Sequence, residues 1–195
     1  MYPKESEIKN LHRYYAPSQT AFDIIFSHCE IIWQICSQII NKNALKINID
    51  LVKSGALLHD IGAYKLINAE GAFDEPNYIK HGIIGYNILK EKGFSEDLCR
   101  VAKCHTGLGL TKDYITKSNL PLPVDNYMAE TVEERLVMYA DKFHSKNPKF
   151  NSFESYRTTA LKFGEENAQK FDNFAKEFGI PNLDNLTNNY RTIID

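Results

Sequence analysis

The doublet His59-Asp60, in the run "SGALLHDIG", places a histidine and an aspartate next to each other at the end of an apolar segment. Leu57 and Leu58 precede it and Ile61 follows it, so the apolar pattern predicts that the carboxylate of Asp60 is buried at the inner end of a helix. Burying an unpaired carboxylate costs several kcal/mol, or forces the group to take up a proton. The fold therefore has to supply a partner for Asp60.

Hydrophobic periodicity predicts helices along most of the chain. Apolar residues recur at three- and four-residue spacing over residues 18–41, and a second helix is predicted over residues 50–59, with Gly62 as a left-handed stop. Residues 68–77 are expected to form a loop, and residues 152–178 one long amphipathic helix whose aromatic side chains fill the core. The predicted fold class is all-α, a compact bundle of about six to nine helices.

Composition fits one soluble globular domain. The 195 residues are 43% hydrophobic and 25% charged, with a formal net charge of −2, which does not suggest a general binder of nucleic-acid polymers or anionic membranes. Neither a signal peptide nor a membrane-length apolar run is visible, so a cytoplasmic location is expected. None of the four cysteines belongs to a Cys-x-x-Cys pair, and all are predicted to be reduced packing residues.

Other ionisable residues also interrupt apolar helix faces. His28 lies within an isoleucine stripe, His81 begins an apolar face, His105 ends a helix, and Asp141 follows Val137 by one turn. A lone buried histidine is usually a hydrogen-bonded core residue, and a lone aspartate usually lies on the wet edge of its helix. Together with the doublet, however, these positions would provide imidazoles and carboxylates, a mixture that suits first-row divalent metals.

The order of these residues resembles a known family signature. His28, the doublet His59-Asp60 and Asp141 are similar to the metal-binding signature of the HD superfamily of metal-dependent phosphohydrolases, and "HDIG" matches one form of it. His81 and His105 fall where the two-metal members have additional histidines. The segment before Asp141 also looks like a small HDIG branch of prokaryotic proteins.

The resemblance extends from about residue 28 to residue 144. It implies a single HD domain in residues 1–195, with a core motif region in residues 20–147 and a C-terminal helical extension in residues 152–195.

By the same resemblance, one or two divalent metal ions would be bound. The first metal would be held by His28, His59, Asp60 and Asp141. The second would be held by His81 and His105, with Asp60 as the bridge. Iron or manganese fits such ligands best, and nickel, cobalt, zinc and magnesium are alternatives. The expected reaction is hydrolysis of a nucleotide or related phosphate ester or anhydride, with Asp60, His81 and His105 as catalytic residues.

The substrate-binding residues are less well defined by the sequence. Many HDIG proteins have Lys or Arg after the glycine, where this chain has Ala63. The candidates to replace it are Lys65, Lys80, Arg100 and Lys103, although each would more often be a solvated surface charge. In the loop of residues 107–130, Tyr114 and Tyr127 are expected either to stack on a base or to pack the loop onto the bundle. The predicted partner is a small phosphorylated molecule, with no nucleic-acid polymer and no membrane, and a homodimer is an option.

Two other functions are open at this point. One is a di-iron oxygenase, because a branch of the HD superfamily uses this ligand set to activate oxygen. The other is a sensor that binds metal and nucleotide without turnover, for which the only support is Ala63.

Overall fold

The computed structural model describes residues 2–146, 149–190 and 193–194. Within these residues the chain forms ten α-helices, which confirms the all-α fold class. They are α1 (Glu5–Tyr15), α2 (Gln19–Asn43), α3 (Ile49–Leu58), α4 (His81–Glu91), α5 (Glu96–Cys104), α6 (Lys112–Lys117), α7 (Val132–Asp141), α8 (Phe153–Leu161), α9 (Glu165–Phe178) and α10 (Asp184–Tyr190). None of the described helices combines the length and apolar character needed to cross a lipid bilayer.

Short elements connect the helices. Two 3₁₀ helices, Ile61–Lys65 and Glu75–Lys80, lie between α3 and α4. The strands β1 (His144–Ser145), β2 (Lys149–Phe150) and β3 (Ile193–Ile194) form a sheet in that order. β1 and β2 are antiparallel, and β2 and β3 are parallel. The first strand pair reverses the chain directly after α7.

Helix α2 runs through the core and packs against α3 and α7. Its isoleucine stripe is buried, with Ile25, Ile32 and Ile35 fully inaccessible and Ile39 only 1% exposed. Ser18 caps the helix, because its hydroxyl accepts a hydrogen bond from the backbone N–H of Ala21. The helix predicted from the three- and four-residue spacing is therefore confirmed.

The prediction of one helix over residues 152–178 is wrong. The chain instead forms α8 and α9, which are separated at Gly164, where φ is +111°. Residues with a side chain rarely adopt this backbone conformation, so the glycine permits the break between the two helices. Phe171 and Phe178 of α9 are buried as expected, but Phe163 beside the break is 62% exposed and is not a core residue.

Smaller elements are also corrected by the structure. The loop predicted over residues 68–77 ends in the 3₁₀ helix that begins at Glu75. α3 ends at Leu58, and Gly62 lies inside the first 3₁₀ helix rather than acting as a left-handed stop. All four cysteines are buried and free.

Candidate metal centre

Five helix segments bring the six predicted ligands to one place. His28 comes from the middle of α2, His59 and Asp60 follow α3, His81 begins α4, His105 follows α5, and Asp141 ends α7. The first five are no more than 7% exposed, and the side chain of Asp141 is 14% exposed. The cluster is therefore an almost completely buried group of imidazoles and carboxylates.

The backbone at the doublet explains how two adjacent residues reach one site. His59 keeps helical angles, with φ −53° and ψ −34°. Asp60 leaves the helix, with φ −102° and ψ 12°. Neighbouring residues on a regular helix point in different directions, so this departure lets both side chains face the cluster.

Glycines allow the supporting elements to approach one another closely. A Cβ atom added to Gly62 would lie 2.1 Å from the carbonyl oxygen of His81 and 2.3 Å from the amide nitrogen of Gly85. A Cβ atom on Gly82 would lie 2.8 Å from the carbonyl oxygen of Ala102 in α5. These backbone contacts place His81 next to the doublet and α4 directly against α5.

The first half of the cluster contains His28, His59 and Asp141. Nε2 of His28 lies 3.2 Å from Nε2 of His59 and 3.0 Å from Oδ1 of Asp141. Oδ2 of Asp60 lies 3.4 Å from Nε2 of His28 and 3.7 Å from Nε2 of His59. Four donor atoms from three parts of the chain thus face a common point.

The second half uses the other oxygen of Asp60. Oδ1 of Asp60 lies 3.5 Å from Nε2 of His81 and 3.4 Å from Nε2 of His105. The two Nε2 atoms are 2.9 Å apart. Asp60 therefore presents one oxygen to each half of the cluster, as a bridging carboxylate would.

The donor spacing fits a coordination shell. Donors about 2.1 Å from an ion are roughly 3.0 Å apart in an octahedral arrangement and roughly 3.4 Å apart in a tetrahedral one, using usual metal–ligand distances. The separations in both halves fall close to these values. Oδ1 of Asp60 is buried and has no hydrogen-bond partner within the described residues, whereas Oδ2 faces the ammonium of Lys146 at 2.5 Å. A buried carboxylate oxygen without a hydrogen-bond partner is suited to a cation.

Backbone carbonyl groups orient three of the imidazoles in the same way. Nδ1 of His59 lies 2.7 Å from the carbonyl oxygen of Ala56. His81 and His105 make the same contact with the carbonyl oxygen three residues earlier, at 2.6 Å and 2.8 Å. A carbonyl oxygen can only accept, so Nδ1 carries the proton and Nε2 is left as the ligand atom.

His28 is oriented by a residue that the motif analysis did not assign to the site. Nδ1 of His28 lies 2.9 Å from Nδ1 of His144, which is 7% exposed in β1. A proton on Nδ1 of His28 would leave its Nε2 free as a ligand. His144 marks the end of the sequence resemblance, but no periodic pattern indicated that its ring contacts His28.

Burial sets the charge state of these imidazoles. It lowers the pKa of His28 to about 4 and that of His81 to about 3, so both rings are neutral at neutral pH. Burial alone would also lower the pKa of His59, but the adjacent Asp60 carboxylate raises it well above its usual value. A metal ion and a proton therefore compete for Nε2 of His59.

The four basic residues predicted to contact phosphate have their described contacts elsewhere. These contacts are Lys65 with the Tyr15 ring at 5.3 Å, Lys80 with Asn77 at 2.6 Å, Arg100 with Glu134 at 2.8 Å, and Lys103 with Asp125 at 2.6 Å. Two other lysines contact the cluster. Nζ of Lys142 lies 2.7 Å from Oδ2 of Asp141, and Nζ of Lys146 lies 2.5 Å from Oδ2 of Asp60.

A cavity of about 600 Å³ lies between the loop after His105 and helices α8 and α9. Thr106, Tyr114 and Phe163 contribute to its wall. Tyr114 is 37% exposed, whereas Tyr127 is only 3% exposed and donates a hydrogen bond to the carbonyl oxygen of Pro123. Tyr127 therefore packs the loop onto the bundle, and Tyr114 is available to a molecule in the cavity.

A family model described as the HD domain matches residues 25–146 of the chain. The chain belongs to the HD domain family. The six cluster residues all lie within the matched region, and the match shows the family without assigning a particular reaction. Membership of the HDIG branch, and the division of the chain into core and extension, stay predictions.

Curated relatives include two proteins named tRNA methyltransferases and one uncharacterized protein. A tRNA (cytidine(56)-2'-O)-methyltransferase of Picrophilus torridus is 36% identical over 128 residues, which cover 66% of this chain and 33% of the relative. The protein of the same name from Thermoplasma volcanium is 30% identical over 157 residues, covering 79% of this chain and 42% of the relative. The uncharacterized protein MJ0778 of Methanocaldococcus jannaschii is 35% identical over 121 residues, covering 60% of this chain and 64% of the relative. The chain thus spans less than two thirds of each of these proteins.

Solved structures support the fold assignment. The HD domain of the L. monocytogenes phosphodiesterase PgpH superposes with a TM-score of 0.52 at 14% identity, covering 86% of this chain and 94% of that domain. The same domain in complex with cyclic-di-AMP also gives a TM-score of 0.52, at 16% identity, with coverage of 89% and 96%. At this level of identity the similarity establishes a shared HD fold.

Proposed function

We propose that this HD domain is a metal-dependent phosphohydrolase that acts on a nucleotide or a related phosphate ester or anhydride. The observation that carries the proposal is the buried set of six donors, in which three Nδ1 atoms bond to backbone carbonyls and leave Nε2 facing inward. His28, His59, Asp60 and Asp141 would hold the first metal ion. His81, His105 and Asp60 would hold the second.

A divalent ion bound there would lower the pKa of a coordinated water from about 15.7 toward 7 and would neutralise phosphate oxygens. Asp60 faces both halves of the cluster, so it would orient the attacking water. When the second position is empty of metal, the unprotonated Nε2 of His81 or His105 would accept a proton from the attacking water. Lys142 donates hydrogen bonds to Asp141 at 2.7 Å and to the carbonyl oxygen of His105 at 3.0 Å, and thereby fixes two of the supporting segments.

The cavity supports a substrate with an organic group rather than a bare inorganic phosphate. Its volume of about 600 Å³ lies within the usual range of small-molecule sites. Thr106 and Gly107 line the cavity and directly follow His105 in the chain, so the cavity lies beside a segment that carries a cluster residue. The exposed rings of Tyr114 and Phe163 in its wall suit a flat base.

The test is turnover by protein that has been stripped with a chelator and reloaded with Mn²⁺ or, without oxygen, Fe²⁺. The panel should contain mononucleotides, dinucleoside polyphosphates, a cyclic dinucleotide and a short RNA with a terminal phosphate. The cyclic dinucleotide is included because of the PgpH complex, and the RNA because two relatives are named tRNA methyltransferases. We expect metal-dependent phosphate release or nucleotide cleavage on at least one compound.

Two variants make the test specific to the cluster. His59→Ala should abolish turnover, since it removes a donor from the first metal position. His12→Gln is the matched control, because His12 is equally buried but bonds to Leu57 and Tyr64 outside the cluster. Full activity in His59→Ala, or metal-loaded protein that cleaves nothing in the panel, would contradict the proposal. Oxygen consumption by the ferrous protein in place of phosphate release would favour an oxygenase.

A further inference from the structure

Lys146 places a positive charge directly on the bridging carboxylate. Its Nζ lies 2.5 Å from Oδ2 of Asp60, and its side chain is only 15% exposed. The same oxygen faces Nε2 of His28 at 3.4 Å. The contact is therefore a largely buried ion pair between an ammonium and a carboxylate.

The position of this ammonium conflicts with a metal ion on the same oxygen. An ion bound to Oδ2 of Asp60 would lie within a few ångströms of Nζ, where two positive charges repel strongly in a poorly solvated site. Lys146 therefore has to release Oδ2 when the ion binds. Its backbone remains held beside the site, since β1 pairs with β2 through His144 and Phe150. The released Nζ stays within reach of an anion on the metal.

Within the part of the chain that the structure describes, neither the position after Gly62 nor Lys142 offers this arrangement. Ala63, at the position where many HDIG proteins carry a cation, is fully buried. The ammonium of Lys142 donates hydrogen bonds to Asp141 and to the carbonyl oxygen of His105, so it already holds two supporting segments together. With both carboxylates neutralised by divalent ions, the charge of Lys146 requires a new partner. A phosphate oxygen supplies a short, charge-assisted hydrogen bond.

We propose that Lys146 is the phosphate-binding residue of this site, and that its ammonium exchanges Asp60 for a phosphate oxygen when the metal binds. The inference rests on the proposed function for the presence of metal and phosphate. Lys146 thereby has a substrate-binding role that the motif did not indicate. Lys146 contacts substrate phosphate in the loaded protein and competes with the metal in the free protein.

Two equilibrium measurements test the exchange without turnover. The first is the affinity for Mn²⁺, measured by competition with a chromophoric chelator. The second is the affinity of the Mn²⁺-loaded protein for inorganic phosphate, measured by calorimetry. Lys146→Met keeps the apolar stem and removes the charge, and Lys146→Gln is a second neutral variant in case the first folds poorly. Lys146→Arg restores the charge.

The neutral variants should bind Mn²⁺ at least 3-fold more tightly and phosphate about 10-fold more weakly, the loss expected for one charge-assisted contact. Lys146→Arg should recover phosphate binding. Lys90→Met is the matched control, since Lys90 also pairs with a carboxylate, Glu96 at 2.9 Å, but on the surface. It should change neither affinity.

Unchanged or weaker Mn²⁺ binding in the neutral variants would overturn the exchange at Asp60. Unchanged phosphate binding would overturn the phosphate contact. Neither readout depends on hydrolysis. A protein that shows both expected changes but cleaves no ester would therefore retain the role of Lys146 and lose the proposed enzymatic function.

Discussion

Replacing Asp60 by asparagine should uncouple the two halves of the cluster while preserving the shape of the side chain. Each carboxylate oxygen faces two Nε2 atoms, with Oδ2 toward His28 and His59 and Oδ1 toward His81 and His105. The amide can present its oxygen to only one half, and its NH₂ group faces the other as a donor. A unit negative charge is also lost from between the two metal positions.

The size of the effect follows from ligand linkage. Mn²⁺ at 100 times its dissociation constant should stabilise the native protein by about 2.7 kcal/mol. For a domain of this size, 1 kcal/mol shifts Tm by about 2–4 °C, so the metal should raise Tm by about 5–11 °C. Loss of an outer-shell partner alone weakens metal binding by about 10–100-fold. If Asp60→Asn weakens binding by about 100-fold, the stabilisation falls to about 0.4 kcal/mol and the shift to about 1 °C.

The assay is differential scanning fluorimetry of chelator-treated protein with and without Mn²⁺. It should be combined with metal analysis of gel-filtered samples. Asp23→Asn provides the control, because Asp23 is exposed and bonds to Gln19 on the surface of α2. A shift of wild-type size in Asp60→Asn, with unchanged metal content, would refute the role of Asp60 as the bridge.

Three further predictions concern packing, pH and the cavity. Gly62→Ala puts a Cβ atom 2.1 Å from the carbonyl oxygen of His81, so urea unfolding should show a loss of about 1–3 kcal/mol and metal analysis a loss of the second ion. Burial lowers the pKa of His12 to about 4, so the fold binds fewer protons than the unfolded chain between pH 4 and 6.5. The free energy of unfolding is therefore not reduced by His12 above pH 6.5, and it falls as the pH falls toward 4. His12→Gln should make this fall smaller by about 3 kcal/mol, as measured by denaturation curves taken across that pH range. Phe163→Ala should raise KM for a nucleotide about 5-fold or more by loss of stacking, while kcat/KM for p-nitrophenyl phosphate stays the same.

The six predicted ligands were detectable because each interrupts a pattern that otherwise requires an apolar residue. His28 stands in an isoleucine stripe whose neighbours are fully buried, and Asp60 follows two buried leucines. The three- and four-residue spacing also predicted α2, and in the structure Thr131 with Glu134 forms the capping box that begins α7. Such local patterns follow from helix geometry, because the spacing of apolar residues along the sequence matches the helical repeat.

Other features depend on how distant segments meet. Lys146 lies beyond the end of α7, and an isolated lysine there would normally be a solvated charge; only the chain reversal through β1 brings it onto Asp60. The importance of Gly62 comes from the approach of α4, and not from its own backbone angles. The break at Gly164 was missed because the apolar period continues across it into α9.

Anomalous diffraction from crystals of the Mn²⁺-loaded protein would locate the metal independently of any assay. We expect a peak about 2.2 Å from Oδ2 of Asp60 and from Nε2 of His28 and His59, and, when both positions are filled, a second peak near His81 and His105. Crystals that contain stoichiometric Mn²⁺ but show no peak between Asp60 and His28 would contradict it.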